Sequence, residues 1–182
     1  YNLIKHACGH QALYGNDCTR ICTPDPLPAF SAHTWDELQN AVNDCCRDII
    51  SSNETDPTKL HGPIGKWDVS KVTDMSKLFF KMLTFNFDLS NWDVSRVTTM
   101  FSVFGNAHLF NQNLSKWDVS RVTNMGAMFS VTKLFNQDLS NWDVSLVTEM
   151  RSMFAYAHSF NQDLSKWDVS RVTSMVARFY DA

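Results

Sequence analysis

The residues that could do chemistry and recur most regularly are aspartates, each inside a Trp-Asp-Val-Ser motif that repeats every 25 residues. They are Asp68, Asp93, Asp118, Asp143 and Asp168. The residue three positions further on is basic in all but one of the motifs: Lys71, Arg96, Arg121, Leu146 and Arg171. If the repeats stack as strands, neighbouring carboxylates lie about 4.8 Å apart and repel by roughly 1 to 3 kcal/mol per pair. We take these ten residues as the candidate binding face.

That repulsion has to be offset, and the sequence leaves several explanations open. The basic residues could interleave with the aspartates, or each aspartate could accept hydrogen bonds from backbone N–H groups in its own turn. A row of bound calcium ions is the alternative, since calcium prefers oxygen ligands. We favour the first two, because each aspartate would face only about one or two other oxygen ligands, whereas calcium takes roughly six to eight. No metal and no cofactor is therefore predicted.

The cysteines suggest a local disulfide staple at the amino-terminal end of the chain. They are Cys8, Cys18, Cys22, Cys45 and Cys46. The last two lie on different sides of a predicted helix, so each would bridge to one of the other three, which allows six connectivities and leaves one thiol over. A zinc site that combines the first three with His6 and His10 is the alternative, but the spacing matches no standard zinc finger. Disulfide bonds would place the protein in an oxidising compartment.

Other polar residues have mainly structural interpretations. Two sequons make Asn53 and Asn113 candidates for glycosylation. A threonine follows each motif, and we interpret it as the N-cap of a short helix. An asparagine follows a phenylalanine in each repeat, and we expect a buried amide ladder there. These two columns are Thr73, Thr98, Thr123, Thr148 and Thr173, and Asn86, Asn111, Asn136 and Asn161.

The elements that position these residues follow from the repeat itself. Leu89, Trp92 and Val94 have the spacing that begins a leucine-rich repeat, and Val97 and Met100 continue in steps of three, typical of a helical turn. We therefore predict an α/β solenoid, a leucine-rich-repeat-like right-handed stack of short strand plus short helix units. The repeated Trp, Val, Met and Phe side chains would fill its interior.

Two regions are expected along the chain. Residues 1–59 form a cysteine-containing, disulfide-stapled cap with a helix at about 35–50, where Thr34 and Glu37 have capping-box spacing. Residues 60–182 form the solenoid, which stops in the middle of a unit at Ala182. That unfinished carboxy-terminal edge predicts either further chain or a partner that covers it.

Composition excludes some classes of partner. The formal net charge is −3, residues 67–182 carry eleven acidic and eleven basic side chains, and no stretch is long and apolar enough to span a membrane. We therefore expect neither nucleic acid nor a membrane span. The chain begins at Tyr1, so a secretory leader could already have been removed.

The stretch from Phe160 to Met175, which reads F-N-Q-D-L-S-K-W-D-V-S-R-V-T-S-M, resembles the repeat of the BspA-like surface protein family, a divergent leucine-rich repeat type. The resemblance covers residues 60–182, with a period of 25 where that family has about 26. It implies a secreted or cell-surface protein that is used for adhesion or for interaction with a protein or glycan, and it brings no catalytic residues. The alternative is a structural subunit of a larger extracellular or lumenal assembly.

Overall fold

The computed structural model of the chain describes residues 30–47 and 61–176. Their regular elements are helix α1, Trp35–Arg47, and a single 3-10 turn, Ile64–Lys66. Within these two ranges no strand forms, and strand-like pairing is limited to isolated parallel bridges. The first bridge joins Ser31 to Asp68, and the others run through equivalent positions of successive repeats. The repeats are therefore built almost entirely from turns.

Helix α1 begins where the capping residues allow it. The Glu37 N–H donates to Thr34 Oγ1 at 3.2 Å, and Glu37 Oε2 accepts from the Thr34 N–H at 3.3 Å. This reciprocal pair is the predicted capping box, and it satisfies N–H groups that the first helical turn leaves without partners. The described helix ends at Arg47, and residues 48–50 of the expected helix lie outside the described ranges.

The helix packs against the first repeat. Leu38, Ala41 and Val42 are buried on one side of it. The Trp35 indole N–H donates to the Ser76 carbonyl at 2.9 Å, and the Gln39 amide donates to the Leu78 carbonyl at 3.3 Å. These contacts combine apolar burial with hydrogen bonds to backbone groups at the end of the stack, so α1 covers the first repeat.

Hydrogen bonds between equivalent residues hold successive repeats together. The N–H groups of Met100, Ser102, Phe104 and Asn106 donate to carbonyls 24 residues later, at 2.7 to 3.0 Å. The N–H groups between them close turns within the repeat, such as Gly105 to the Ser102 carbonyl at 3.1 Å. Backbone donors thus alternate between the neighbouring repeat and a local turn, which leaves few of them unpaired.

These turns require left-handed backbone at fixed positions. Ser102 has φ of 55° and Asn106 has φ of 61°, and the equivalent residues of the neighbouring repeats also have positive φ. They are Lys77, Lys81, Ala127, Val131, Ser152 and Tyr156. A positive φ at the third position of a four-residue turn is the mark of a type II turn, which ordinarily takes glycine or asparagine. Most of these positions carry other residues, so the backbone bonds to the neighbouring repeat have to hold them there.

The predicted α/β solenoid of strand plus helix units is therefore wrong. The Trp-Asp-Val segment forms no strand, and the segment from Val97 to Phe104 forms no helix, because its bonded N–H groups go to the neighbouring repeats and to carbonyls three residues back. An α-helix would send each N–H four residues back. The disulfide staple of the expected cap falls on Cys8, Cys18 and Cys22, outside the described ranges, and on Cys45 and Cys46, whose side chains are not described.

The core consists of columns of identical side chains. Phe79, Phe104, Phe129 and Phe154 stack face to face, with ring centroids 5.4 to 5.6 Å apart and planes within 7 to 10°. A second phenylalanine column runs beside it, and its ring in each repeat contacts the first, as Phe110 contacts Phe104 at 3.9 Å. Stacked aromatic pairs add to the free energy of apolar burial, so the two phenylalanine columns stabilise the contacts between repeats.

The tryptophans complete this core and fix the register. The Trp117 indole N–H donates to the Leu89 carbonyl at 3.0 Å, and Trp142 donates in the same way to the Leu114 carbonyl at 3.0 Å. A buried indole that lost this acceptor would leave an unpaired donor. Each tryptophan therefore permits one alignment with the repeat before it.

Candidate binding faces

The predicted aspartate column forms on one side of the stack, and its carboxylates close turns. In every motif Oδ1 of the aspartate accepts the N–H of the serine two residues later, at 3.0 to 3.1 Å. The pairs are Asp68 with Ser70, Asp93 with Ser95, Asp118 with Ser120, Asp143 with Ser145 and Asp168 with Ser170. This is the Asx-turn arrangement, and of the explanations that the sequence left open it is the one that the structure contains.

A second acidic column repeats the arrangement four residues before each tryptophan. Asp88 Oδ1 accepts the Ser90 N–H at 2.9 Å, and Asn113 Oδ1 accepts the Ser115 N–H at 2.8 Å. Asp138 and Asp163 bond to their own serines in the same way. An aspartate and an asparagine both fill this position, because the turn needs only the side-chain oxygen as an acceptor.

These hydrogen bonds stabilise the ionised carboxylates. The Ser145 hydroxyl and backbone N–H lower the pKa of Asp143 below its ordinary value, although the nearby Asp168 carboxylate opposes this. The Ser70 hydroxyl and N–H, followed by the Ser31 hydroxyl, lower the pKa of Asp68. Hydrogen bonds that favour the charged form explain how these carboxylates tolerate their neighbours in the column.

The basic residues of the candidate face do not interleave with the aspartates. Within residues 30–44 and 61–176, no lysine or arginine comes within ion-pair distance of a carboxylate, and the one such contact there joins His61 to Asp44 at 3.6 Å. Lys71 instead contacts the His33 ring nitrogen at 3.1 Å, and Leu146 is a partly exposed apolar group in the same column. The described ranges also contain no group of three or more potential metal-binding side chains.

The threonine column, five residues after each motif aspartate, was predicted to cap short helices, but its side chains instead bond to the neighbouring repeat. The Thr98 N–H and hydroxyl both donate to the Thr73 carbonyl, at 2.8 and 3.2 Å, and the same pair of bonds recurs in the next three repeats. The N-cap interpretation is wrong, because no helix follows these threonines in the described part of the chain. They link one repeat to the next.

The asparagine column forms as a ladder, but it is not buried as predicted. Asn111 Oδ1 accepts the Asn136 N–H at 2.9 Å and the Gln137 amide at 2.9 Å. Asn86 and Asn136 receive equivalent bonds, and both are exposed at the surface. Of the two sequon asparagines, Asn113 is exposed and engaged in its turn, and Asn53 lies outside the described residues.

A second surface was not singled out from the sequence, and we call it the acid-free face. It consists of the exposed positions of residues 76–84, 101–109, 126–134 and 151–159. These segments contain no aspartate or glutamate, although four lysines or arginines and two histidines lie in them. Counting the charges of each segment of the repeat separately, rather than those of the whole repeat region, would have revealed this surface.

The described residues contain no helix that is long and apolar enough to cross a membrane. No curated protein and no solved structure matches the chain. A family described as Mycoplasma protein of unknown function, DUF285, matches it twice, over residues 49–141 and 112–182. Together these matches span 49–182, well over half of the 182 residues. The chain therefore belongs to the DUF285 family.

Proposed function

We propose that this protein is a non-enzymatic binding module, secreted or displayed at the cell surface, which recognises a protein or a glycan. The observation that carries the proposal is the contrast between a constant core and variable exposed positions. The core position four residues after the repeated methionine (Met75 in the first repeat) is a phenylalanine in each of four successive repeats: Phe79, Phe104, Phe129 and Phe154. The position two residues beyond it is occupied by Lys81, Asn106, Val131 and Tyr156.

Such a contrast suits recognition because the backbone ladder holds the variable side chains in fixed positions. The Lys81 N–H donates to the Gly105 carbonyl at 2.8 Å, and the Val131 N–H donates to the Ala155 carbonyl at 2.7 Å. A surface whose backbone is already fixed loses little conformational entropy on binding. Changes at the exposed positions can then alter what is bound without altering the fold, as in other arrays of stacked repeats.

The secreted or cell-surface location rests on two sequence arguments. The five cysteines are clustered in the amino-terminal part of the chain, which is typical of a disulfide-containing segment in an oxidising compartment. The resemblance to BspA-like surface proteins points to the same location. Membership of the DUF285 family does not bear on the proposed function or location, since that family is described only as one of unknown function.

Binding can be tested with the intact folded chain immobilised on a sensor and exposed to a glycan panel and to a panel of extracellular proteins. We expect saturable binding to at least one member, and we expect Lys133→Ala or Tyr156→Ala to weaken it. The control is Asn91→Ala, an exposed change outside the acid-free face. If the wild-type chain binds nothing on either panel, or turns over a glycan or peptide that it contacts, the proposal is wrong.

A further inference from the structure

We infer that the acid-free face is the binding surface, and that its partner is a protein segment that combines acidic with apolar side chains. The inference rests on the proposed function and deepens it, because it identifies which surface binds and what chemistry that surface recognises. It also moves the site away from the aspartate column, in which Oδ1 of each carboxylate already accepts a hydrogen bond that closes a turn.

Three leucines form an apolar strip along the acid-free face. Leu83, Leu109 and Leu134 are 50, 44 and 48% exposed. Leu109 and Leu134 occupy equivalent positions of successive repeats, and Leu83 occupies the position before, which holds His108 and Lys133 in the next two repeats. The Leu109 N–H donates to the Leu83 carbonyl at 3.1 Å, and the Leu134 N–H donates to the His108 carbonyl at 3.2 Å, so each of the two is bonded to that position in the repeat before it. The leucine that precedes each Trp motif is fully buried in the same repeats, as in Leu114. The strip is therefore apolar surface that the fold itself does not use.

Positive charge lies in the same segments as the strip. Lys77 and Lys81 share a segment with Leu83, Lys133 is the residue before Leu134, and Arg151 belongs to the last segment; all four are exposed. All ten acidic residues between positions 61 and 176 lie outside the four segments of the acid-free face. The repeat region is close to neutral overall, so this segregation gives one face a positive potential that composition alone conceals. A partner that docks there gains electrostatic complementarity by carrying carboxylates.

Parts of the face are held in place before any partner arrives. The Lys81 ammonium lies 5.2 Å from the centre of the Phe80 ring, and the Lys77 ammonium lies 5.9 Å from the centre of the Phe101 ring. Both contacts are within the range of a cation–π interaction.

A protein segment fits these features better than a membrane does. The leucines are about half buried in their own repeats, so they cannot reach the roughly 5 to 10 Å into the headgroup region that interfacial anchors reach. A peptide needs no such depth, because its side chains can pack against an apolar strip that lies level with the surface. Its carboxylates would meet the exposed lysines of the same segments.

The test uses the full chain and fluorescein-labelled peptides, with anisotropy as the readout. One peptide combines glutamates with leucines, a second replaces the leucines by serines, and a third replaces the glutamates by lysines. We expect the first to bind at least about tenfold more tightly than the other two. We also expect binding to weaken about tenfold in the double variant Leu109→Ser/Leu134→Ser, and again in Lys133→Glu/Arg151→Glu.

The matched control is Arg96→Glu/Arg121→Glu, which makes the same change of charge beside the aspartate column and should leave peptide binding unchanged apart from a small salt-dependent effect. Near-ultraviolet circular dichroism of the stacked aromatic side chains checks that each variant folds. The inference is wrong if the three peptides bind alike, if none binds, or if the control weakens binding as much as the changes on the acid-free face.

Two other results would also overturn it. Binding of vesicles rich in anionic lipid that is lost in the leucine variant would make the partner a membrane. Self-association that grows with protein concentration and is lost in the same variant would make the partner a second copy. If the panels of the preceding section show binding that survives all changes on the acid-free face, the proposed function stands because the wild-type chain still binds. What fails is the assignment of the acid-free face, together with the expected effects of Lys133→Ala and Tyr156→Ala.

Discussion

At the scale of single residues, Val131 is held in a conformation that its side chain disfavours. Its φ is 60°, and β-branched residues rarely adopt positive φ. The equivalent residue of the preceding repeat is Asn106, which has the same conformation, and asparagine adopts positive φ more readily than valine does. The Val131 N–H is bonded to the Ala155 carbonyl at 2.7 Å, so the backbone cannot relax without the loss of this bond.

Replacing Val131 by asparagine should therefore stabilise the protein. We expect the free energy of unfolding to rise by about 0.5 to 1 kcal/mol, because relief of the left-handed strain outweighs the loss of a partly buried apolar contact. Urea denaturation followed by tryptophan fluorescence measures this. The control is Val176→Asn at an exposed valine without positive φ, which should give no gain. Equal effects of the two changes would mean that strain at Val131 is not the cause.

The turn carboxylates make stability depend on pH. Their pKa values are lowered in the folded state by the hydroxyl and N–H groups of the serines that follow them; the set is Asp68, Asp88, Asp138, Asp143, Asp163 and Asp168. A lowered folded-state pKa contributes stability that is fully present above the unfolded pKa of about 3.9 and is lost as the pH falls through the folded value. The thermal midpoint should be flat near neutrality and should fall steeply below about pH 4.

An amide substitution tests this assignment, because asparagine keeps the acceptor oxygen but does not titrate. In Asp143→Asn/Asp168→Asn the dependence of the thermal midpoint on pH below about pH 4 should become weaker, since two of the carboxylates with lowered pKa values are removed. At pH 7 the variant should lose only the stability that the two ionised carboxylates contribute, because Asn113 in the other acidic column shows that an amide oxygen forms the same turn. An unchanged slope would show that other groups cause the acid sensitivity.

At the scale of elements, the asparagine ladder links repeats through side chains. Replacing Asn111 by alanine removes the acceptor of two hydrogen bonds, from the Asn136 N–H and the Gln137 amide. We expect a loss of about 1 to 2 kcal/mol in the free energy of unfolding, because a backbone donor is left without its partner. Asn141→Ala, at an exposed position that is lysine in other repeats, should be nearly neutral in the same urea titration. A ladder without energetic value would give similar results for both variants.

The elements also show what the sequence can and cannot predict. The interior positions were predictable, since Trp117, Val119, Met125, Phe129 and Phe135 are all buried as the repeat pattern indicated. The elements that carry them were not. Buried residues spaced three and four apart are typical of a helix. The same spacing also arises in successive turns whose N–H groups bond to carbonyls three residues back, while every second N–H bonds to another repeat. Whether the segment forms a helix or such turns depends on hydrogen-bond partners about 25 residues away in the sequence, and the local spacing of apolar residues carries no information about them.

The candidate site was missed for a related reason. The aspartates attracted attention because they recur, yet recurrence here reflects the turn that each one closes. The acid-free face is made of positions that vary, such as Leu109 and Lys133, and variable positions produce no motif. Only the backbone bonds between repeats show that such residues lie side by side.

At the scale of the whole molecule, stability should depend on contacts between neighbouring repeats. Each repeat offers the same rings and the same ladder bonds to the one before and the one after, as Phe104 contacts both Phe79 and Phe129. In such an array the free energy of unfolding is approximately a sum over repeats and their interfaces. Removing a whole unit should therefore weaken the protein without destroying it.

Removal of residues 114–138 tests this dependence directly, because it deletes 25 residues, the length of one repeat. Asn113 is then followed by Leu139, which occupies the position that Leu114 has in the intact chain. Asn111 Oδ1 could then accept from the Asn161 N–H, and Trp142 could donate to the Leu89 carbonyl, so each lost bond has an equivalent replacement. We expect a folded chain with a lower urea midpoint and a smaller slope of unfolding free energy against urea, since less surface is exposed on unfolding. Removal of residues 114–126 is the control, since it deletes about half a unit and brings Ala127 into the position of Leu114. That variant should lose the near-ultraviolet circular dichroism signal of the stacked aromatic rings. If the two deletion variants were equally stable, the hydrogen bonds and ring contacts between repeats would not be what holds the molecule together.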